Sequence, residues 1–103
     1  MNYIANSFSL QMLDASVKNV SISLSEISEM EFEKIVATAD FTSAVGHPDT
    51  AKVLGVPMNR INVLLTDHDT LLVAQLQGGR LPEGATTLPE GFKFRYLKIT
   101  VSY

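Results

Sequence analysis

Ile61-Asn62-Val63-Leu64-Leu65-Thr66, then Asp67-His68-Asp69, then Thr70-Leu71-Leu72-Val73-Ala74-Gln75-Leu76: two β-branched and aliphatic runs are parted by three turn-forming residues. Such runs favour strands, and the spacing predicts a hairpin over 61–76. Downstream, Gln77–Gly91 is rich in Gly, Pro and Thr and predicts a loop of unusual length for a small domain, which favours a functional loop or lid. Phe92–Tyr103 follows as a long last strand, with Phe92, Phe94 and Tyr96 on one face. Upstream, Tyr3–Ala5 is β-like, Ser9–Leu13 allows a helical turn capped by Ser7 or Ser9, and Val17–Leu24 alternates as a strand. Ser25 is the expected cap of a helix with Glu26, Glu29 and Glu31 in its first turns and Ile27, Phe32, Ile35, Val36 and Ala39 as its buried stripe. Phe41–Val45 is short and extended. Pro48 starts a helix that Gly55 stops. The expectation is a mixed α/β (α+β) domain over residues 1–103, with one sheet of about five strands and a few short helices.

Composition narrows the function classes. A chain of 103 residues buries only about 60–70% of its unfolded surface, and a 46% hydrophobic, 18% charged balance leaves apolar surface for a partner to cover. Cysteine is absent, which removes disulfides, thiolate metal sites and a cysteine nucleophile. The first residues lack a basic segment followed by an apolar one, and no apolar run is long enough to span a membrane, so the expected compartment is the cytoplasm. The net charge of −3 argues against a DNA or RNA coat, which needs a basic face. A pocket for one small anion remains compatible with it.

Few residues offer chemistry. His47 sits in Gly46-His47-Pro48, at a helix start whose first N–H groups are expected to be unpaired; it reads as a structural histidine or a functional one. His68, between Asp67 and Asp69, reads as an exposed turn residue. Two histidines so placed do not make a zinc site. Arg80 and Glu83, in Gly78-Gly79-Arg80-Leu81-Pro82-Glu83-Gly84, read as a surface ion pair or as a phosphate-binding arginine with its neighbour. Arg60, after Asn59, reads as a solubilising charge or a second anion contact.

In order, these pieces resemble a known family. The segment Ile4-Ala5-Asn6-Ser7-Phe8-Ser9-Leu10-Gln11-Met12-Leu13, the Ser43-Ala44-Val45-Gly46-His47-Pro48-Asp49-Thr50 turn, Asn59-Arg60-Ile61, Val73-Ala74-Gln75-Leu76 and Arg80-Leu81-Pro82-Glu83-Gly84 are similar to motifs of the viral ring nucleases, the anti-CRISPR proteins of type III systems. The resemblance implies a homodimer that binds cyclic tetra-adenylate and cuts it without a metal or other cofactor, switching off type III CRISPR signalling. It places the catalytic residues on His47, Arg80 and Glu83, and the ligand contacts on Asn6, Ser9, Gln11, Thr50, Arg60 and Gln75. Asp49 stands where that family often has a serine. One extra residue separates Gln75 from Arg80, and the helix before the last strand is shortened to Ala85–Gly91.

That chemistry suits the residues available. An RNA phosphodiester carries its own nucleophile in the 2′-hydroxyl, so no serine or cysteine is required. Positioning, charge stabilisation by arginine and proton delivery by an imidazole, whose ordinary pKa is about 6.5, suffice. The expected products are linear di-adenylates ending in a 2′,3′-cyclic phosphate. Two other classes fit the same residues: a sponge or sensor that holds a cyclic oligonucleotide without cutting it, and an interaction protein whose long loop docks a partner.

Overall fold

The Thr70–Gln77 run lies at the centre of the sheet, and the computed structural model describes residues 1–38 and 40–103. In chain order the elements are β1 (Asn2–Ala5), a 3-10 turn (Leu10–Met12), β2 (Ser21–Ile27), α1 (Glu29–Thr38), β3 (Thr42–Ser43), α2 (Pro48–Leu54), β4 (Thr70–Gln77) and β5 (Lys93–Ser102). The strands lie in the order β2-β5-β4-β1-β3. β4 pairs antiparallel with β5, from Thr70 opposite Thr100 to Gln77 opposite Lys93, and parallel with β1 on its other edge. β2 closes one side antiparallel to β5, and β3 closes the other parallel to β1. The five-strand mixed sheet with two helices is the α+β architecture expected.

Alternation of side chains sorts β4 between two cores. Leu71 and Val73 join Ala5, Leu97, Ile99 and Val101 on one face, under Val63, Leu65 and the Phe8–Val20 segment. Leu72 and Ala74 join Ile4, Phe32, Val45, Ala51 and Val56 on the other, under α1 and α2. A strand buried on both faces needs an unbroken apolar run, which is what Leu71-Leu72-Val73-Ala74 supplies. Leu71, Leu72 and Ala74 are at most 1% exposed.

Two expected elements differ. Ile61–Thr66 does not pair with 70–76 as a hairpin, because both edges of β4 are occupied by β1 and β5. The segment crosses the sheet face instead, burying Val63 and Leu65. Leu65 N–H donates to Met12 O at 2.7 Å, and the Tyr103 hydroxyl donates to Leu65 O at 2.8 Å. The turn itself is real: Asp69 N–H closes onto Thr66 O, and His68 takes φ 75°. The second difference concerns β2, which continues to Ile27 opposite Tyr96, so Ser25 lies in a ladder rather than at a helix cap. Ser28 caps α1 instead, its Oγ accepting from Glu31 N–H at 3.1 Å. Ile27 still packs beside Phe32, Ile35 and Val36, while Ala39 lies outside the described residues.

Candidate functional site

The site begins with a short turn between β3 and α2. His47 holds extended backbone (φ −105°, ψ 121°), Pro48 presets the first helical residue, and Gly55 ends α2 in the left-handed region at φ 75°. The cap is the imidazole itself: His47 Nδ1 accepts from Thr50 N–H at 3.3 Å and lies 3.4 Å from Thr50 Oγ1. Ser, Thr, Asp and Asn usually do this. The expectation of unpaired N–H groups at this helix start is therefore corrected at Thr50, whose N–H is taken. With Nδ1 accepting, the proton of the neutral ring resides on Nε2.

Asn59 and Arg60 brace that turn from behind. Asn59 Nδ2 donates to Ser43 O at 2.9 Å and its N–H to Val45 O at 2.9 Å, while Arg60 Nε donates to Gly46 O at 2.9 Å. A Cβ on Gly46 would meet Arg60 Cγ at 3.1 Å, so glycine permits the close approach. The sequence offered Arg60 as a ligand contact; in the structure it grips the residue preceding His47.

A cavity of about 650 Å³ opens beside this turn, lined by Asn6, His47, Asp49, Thr50, Leu76, Gly79, Arg80, Leu81 and Glu83. Three separate stretches converge there: the residue after β1, the start of α2, and the end of β4 with the loop that follows it. The loop is held by Leu81, which is 6% exposed, and by Gly78, where the backbone turns at φ 113°. Among the described residues the ion pairs are Met1 amine with Asp69 and Arg95 with Glu26, so Arg80 and Glu83 do not pair with each other. Both side chains remain available to a ligand, and the lining carries one arginine, one imidazole and two carboxylates.

Five of the nine residues singled out by the sequence meet in this cavity: Asn6, His47, Thr50, Arg80 and Glu83. Ser9 and Gln11 line a different hollow of about 370 Å³ with Met12, Ile61, Asn62 and Val63. Ser9 also caps the 3-10 turn, accepting from Gln11 N–H at 3.2 Å. Gln75 is exposed opposite Arg95, and strand alternation puts it on the sheet face of Leu71 and Val73, away from Leu76 and the cavity. His68 is exposed in its turn, remote from these residues in the fold. Asp49, Leu76, Gly79 and Leu81 complete the cavity without having been singled out as ligand contacts. Asp49 carried a signal as a departure from the serine expected there, and Leu76, Gly79 and Leu81 stood inside the stretches quoted above without a role of their own. Among the described residues no group of three His, Asp or Glu side chains is placed to hold a metal ion, and no helix is long and apolar enough to cross a membrane.

An α+β domain with a histidine-capped turn facing a glycine-rich loop is thus the class that fold and site define. The family model described as STIV B116-like matches residues 2–97, and the chain belongs to that family. Uncharacterized protein 26 of Sulfolobus islandicus filamentous virus (isolate Iceland/Hveragerdi) is 39% identical over 90 residues, covering 82% of this chain and 74% of the relative. The structure is similar to that of B116 of Sulfolobus turreted icosahedral virus, with a TM-score of 0.71 over 96% of this chain and 97% of that one, at 20% identity. That likeness establishes the fold, and the relatives place the family among archaeal viruses.

Proposed function

We propose that this protein is a metal-independent ring nuclease that opens cyclic tetra-adenylate and thereby silences type III CRISPR signalling. The observation that carries the reading is the convergence of His47, Arg80 and Glu83 with Asn6 and Thr50 on one cavity, from stretches far apart in the chain. The 2′-oxygen of one nucleotide attacks the adjacent phosphorus, forming the 2′,3′-cyclic phosphate and breaking the bond to the 5′-oxygen. His47 delivers its proton to that leaving oxygen, Arg80 neutralises the charge gathering on the phosphoryl oxygens, and Glu83 accepts the 2′-hydroxyl proton. The acid form of His47 is the imidazolium, so delivery entails giving up the Thr50 N–H. The phosphate supplies the negative charge that favours this exchange.

Size supports a dimer. The cavity falls within the range of about 300–1,000 Å³ that suits one drug-sized ligand, too little for a ring of four nucleotides. Two copies on a two-fold axis would each take half of a ring that itself contains a two-fold, giving two equivalent cuts. The exposed apolar residues Leu10, Ile22, Leu24, Ile61 and Leu64 supply surface that a second copy would cover. Ser9, Gln11 and Gln75, which do not line the His47 cavity of one copy, would then contact the ring from the partner. Incubation with cyclic tetra-adenylate in EDTA, followed by chromatography, should yield di-adenylates with a 2′,3′-cyclic phosphate. Intact ring that nevertheless co-elutes with the protein would replace this reading by a sponge or sensor.

A further inference from the structure

Away from the His47 cavity, a second hollow of about 270 Å³ opens between α1, α2 and the far end of the Gln77–Gly91 loop. Phe94, Tyr96, Val53, Leu54 and Leu88 form its walls, over Phe32. The rings of Phe32 and Tyr96 lie 4.6 Å apart between centroids, and those of Phe94 and Tyr96 6.0 Å apart. Glu29 and Glu33 stand at its rim, one helical turn apart on the α1 face that also carries Phe32. Burial, and then the charges of Glu29 and Glu33, hold the Tyr96 hydroxyl above the usual phenol range, so both carboxylates act on the pocket. Like charges at this spacing repel, and among the described residues neither glutamate has a cationic partner.

Aromatic faces and carboxylates bring the same sign of potential to one small apolar space, which excludes anions and favours an organic cation. We propose that this hollow binds a short aliphatic diamine, its two ammonium groups on Glu29 and Glu33 and its methylenes against Phe94, Tyr96 and Leu88. Side chains one helical turn apart start about 5–6 Å from each other, close to the separation of two amines joined by four methylenes. Calcium would instead need six to eight converging oxygens, which two carboxylates and aromatic walls do not offer. The volume is below the range of about 300–1,000 Å³ typical of drug-sized ligands, and suits a thin alkyl chain. Thr86, Thr87 and Leu88 belong to the loop that carries Arg80 and Glu83, so an occupant here ties that loop to both helices.

The test is calorimetric titration of the full chain with 1,4-diaminobutane at low ionic strength, with amide shifts mapped by NMR. Saturable one-to-one binding is expected, with shifts at Val53, Leu54, Thr86, Thr87 and Leu88. Butylamine should bind roughly tenfold more weakly, 1,4-butanediol should not bind, and the Glu29→Gln/Glu33→Gln double variant should lose roughly tenfold or more in affinity. Both glutamates are exposed, so an unchanged melting temperature is expected to accompany that loss. Absence of saturable binding, equal affinity in the double variant, or shifts confined to other parts of the fold would overturn the proposal.

Discussion

His47 Nδ1 accepts the backbone N–H of Thr50 at 3.3 Å, which makes one imidazole both the cap of α2 and the histidine facing the Arg80–Glu83 loop. The two roles compete, because an imidazolium has no lone pair left for Thr50. Substitution can part them. His47→Ala should lose the cap, at about 1 kcal/mol, and the acid, at about 10²–10⁴ in single-turnover cleavage. His47→Asn should restore the cap and the melting temperature while leaving cleavage at the alanine level. An asparagine variant that cuts the ring at the wild-type rate would remove His47 from the chemistry. His68→Ala, in a solvent-exposed turn, is the control and should cleave normally.

Arg60 should behave as a brace for the His47 turn as well as a grip on the ring. Its Nε–H bond to Gly46 O is worth about 1 kcal/mol, so Arg60→Ala should lower stability measurably without ligand present. Ring affinity should fall with it. Unchanged melting together with weakened binding would return Arg60 to a pure ligand contact, as the family resemblance implies.

The acid limit of stability should depend on Asp69. Burial pushes its carboxyl up, but bonds from Thr66 N–H and hydroxyl, each at 2.9 Å, and the Met1 amine at 3.1 Å outweigh this and hold it below the usual carboxylate range. A carboxyl lowered in the native state stabilises fully above its unfolded pKa of about 3.9, and that contribution is lost as pH falls through the lower native value. Asp69→Asn should therefore cost about 1–2 kcal/mol at pH 7, with the deficit shrinking below about pH 4. Denaturant melts of both proteins across pH 2.5–7 would check this, and a deficit that persists at the acid end would show another cause.

The sequence carried the site better than it carried the strand pairing. Residue type left His47 and the Arg80–Glu83 pair open between structural and functional readings, the family resemblance set them together, and the fold brings both to one cavity. Ile61–Thr66 misled because an apolar run next to a turn has the composition of a strand, while its pairing depends on which edges β1 and β5 leave open. Only the tertiary structure holds that information. A local signal for the α1 cap does exist: Ser28-Glu29-Met30-Glu31 has the Ser-x-x-Glu spacing of a capping box, whereas Ser25 has a serine three residues on. The β2–β5 ladder agrees with it by carrying strand geometry through to Ile27. The imidazole cap was hidden because helix starts are scanned for hydroxyl, amide and carboxylate side chains.

Assembly is the next test of the proposed mechanism. Light scattering at low micromolar concentration should give twice the 11.3 kDa chain mass. A monomer would leave Ser9, Gln11 and Gln75 outside the cavity that holds His47, and the shared-site arrangement would fail with it.

The loop between β4 and β5 offers a sharper experiment, since its glycines are not equivalent. Gly78 sits at φ 113°, and a Cβ there would lie 2.9 Å from Gly91 O and 3.0 Å from Phe92 Cα, both backbone atoms that cannot swing aside. Gly84 sits at φ 77° with nothing within 4 Å of a Cβ. Gly84→Ala therefore meets only the left-handed backbone penalty, about 1 kcal/mol, and should leave the loop's path intact. Gly78→Ala adds a steric clash at the base of the loop, so the strands must part or the loop must exit at another angle. The residues displaced would be Gly79, Arg80 and Leu81, all of which line the His47 cavity. Misplacing a charge-stabilising group by about 1 Å can cost on the order of 10²-fold in rate. Gly78→Ala should thus lose cleavage well beyond its loss of stability, whereas Gly84→Ala should lose neither by much. Single-turnover rates and melting temperatures of the two variants decide the matter. Equal activity in both would mean that the base of this loop does not set the position of Arg80.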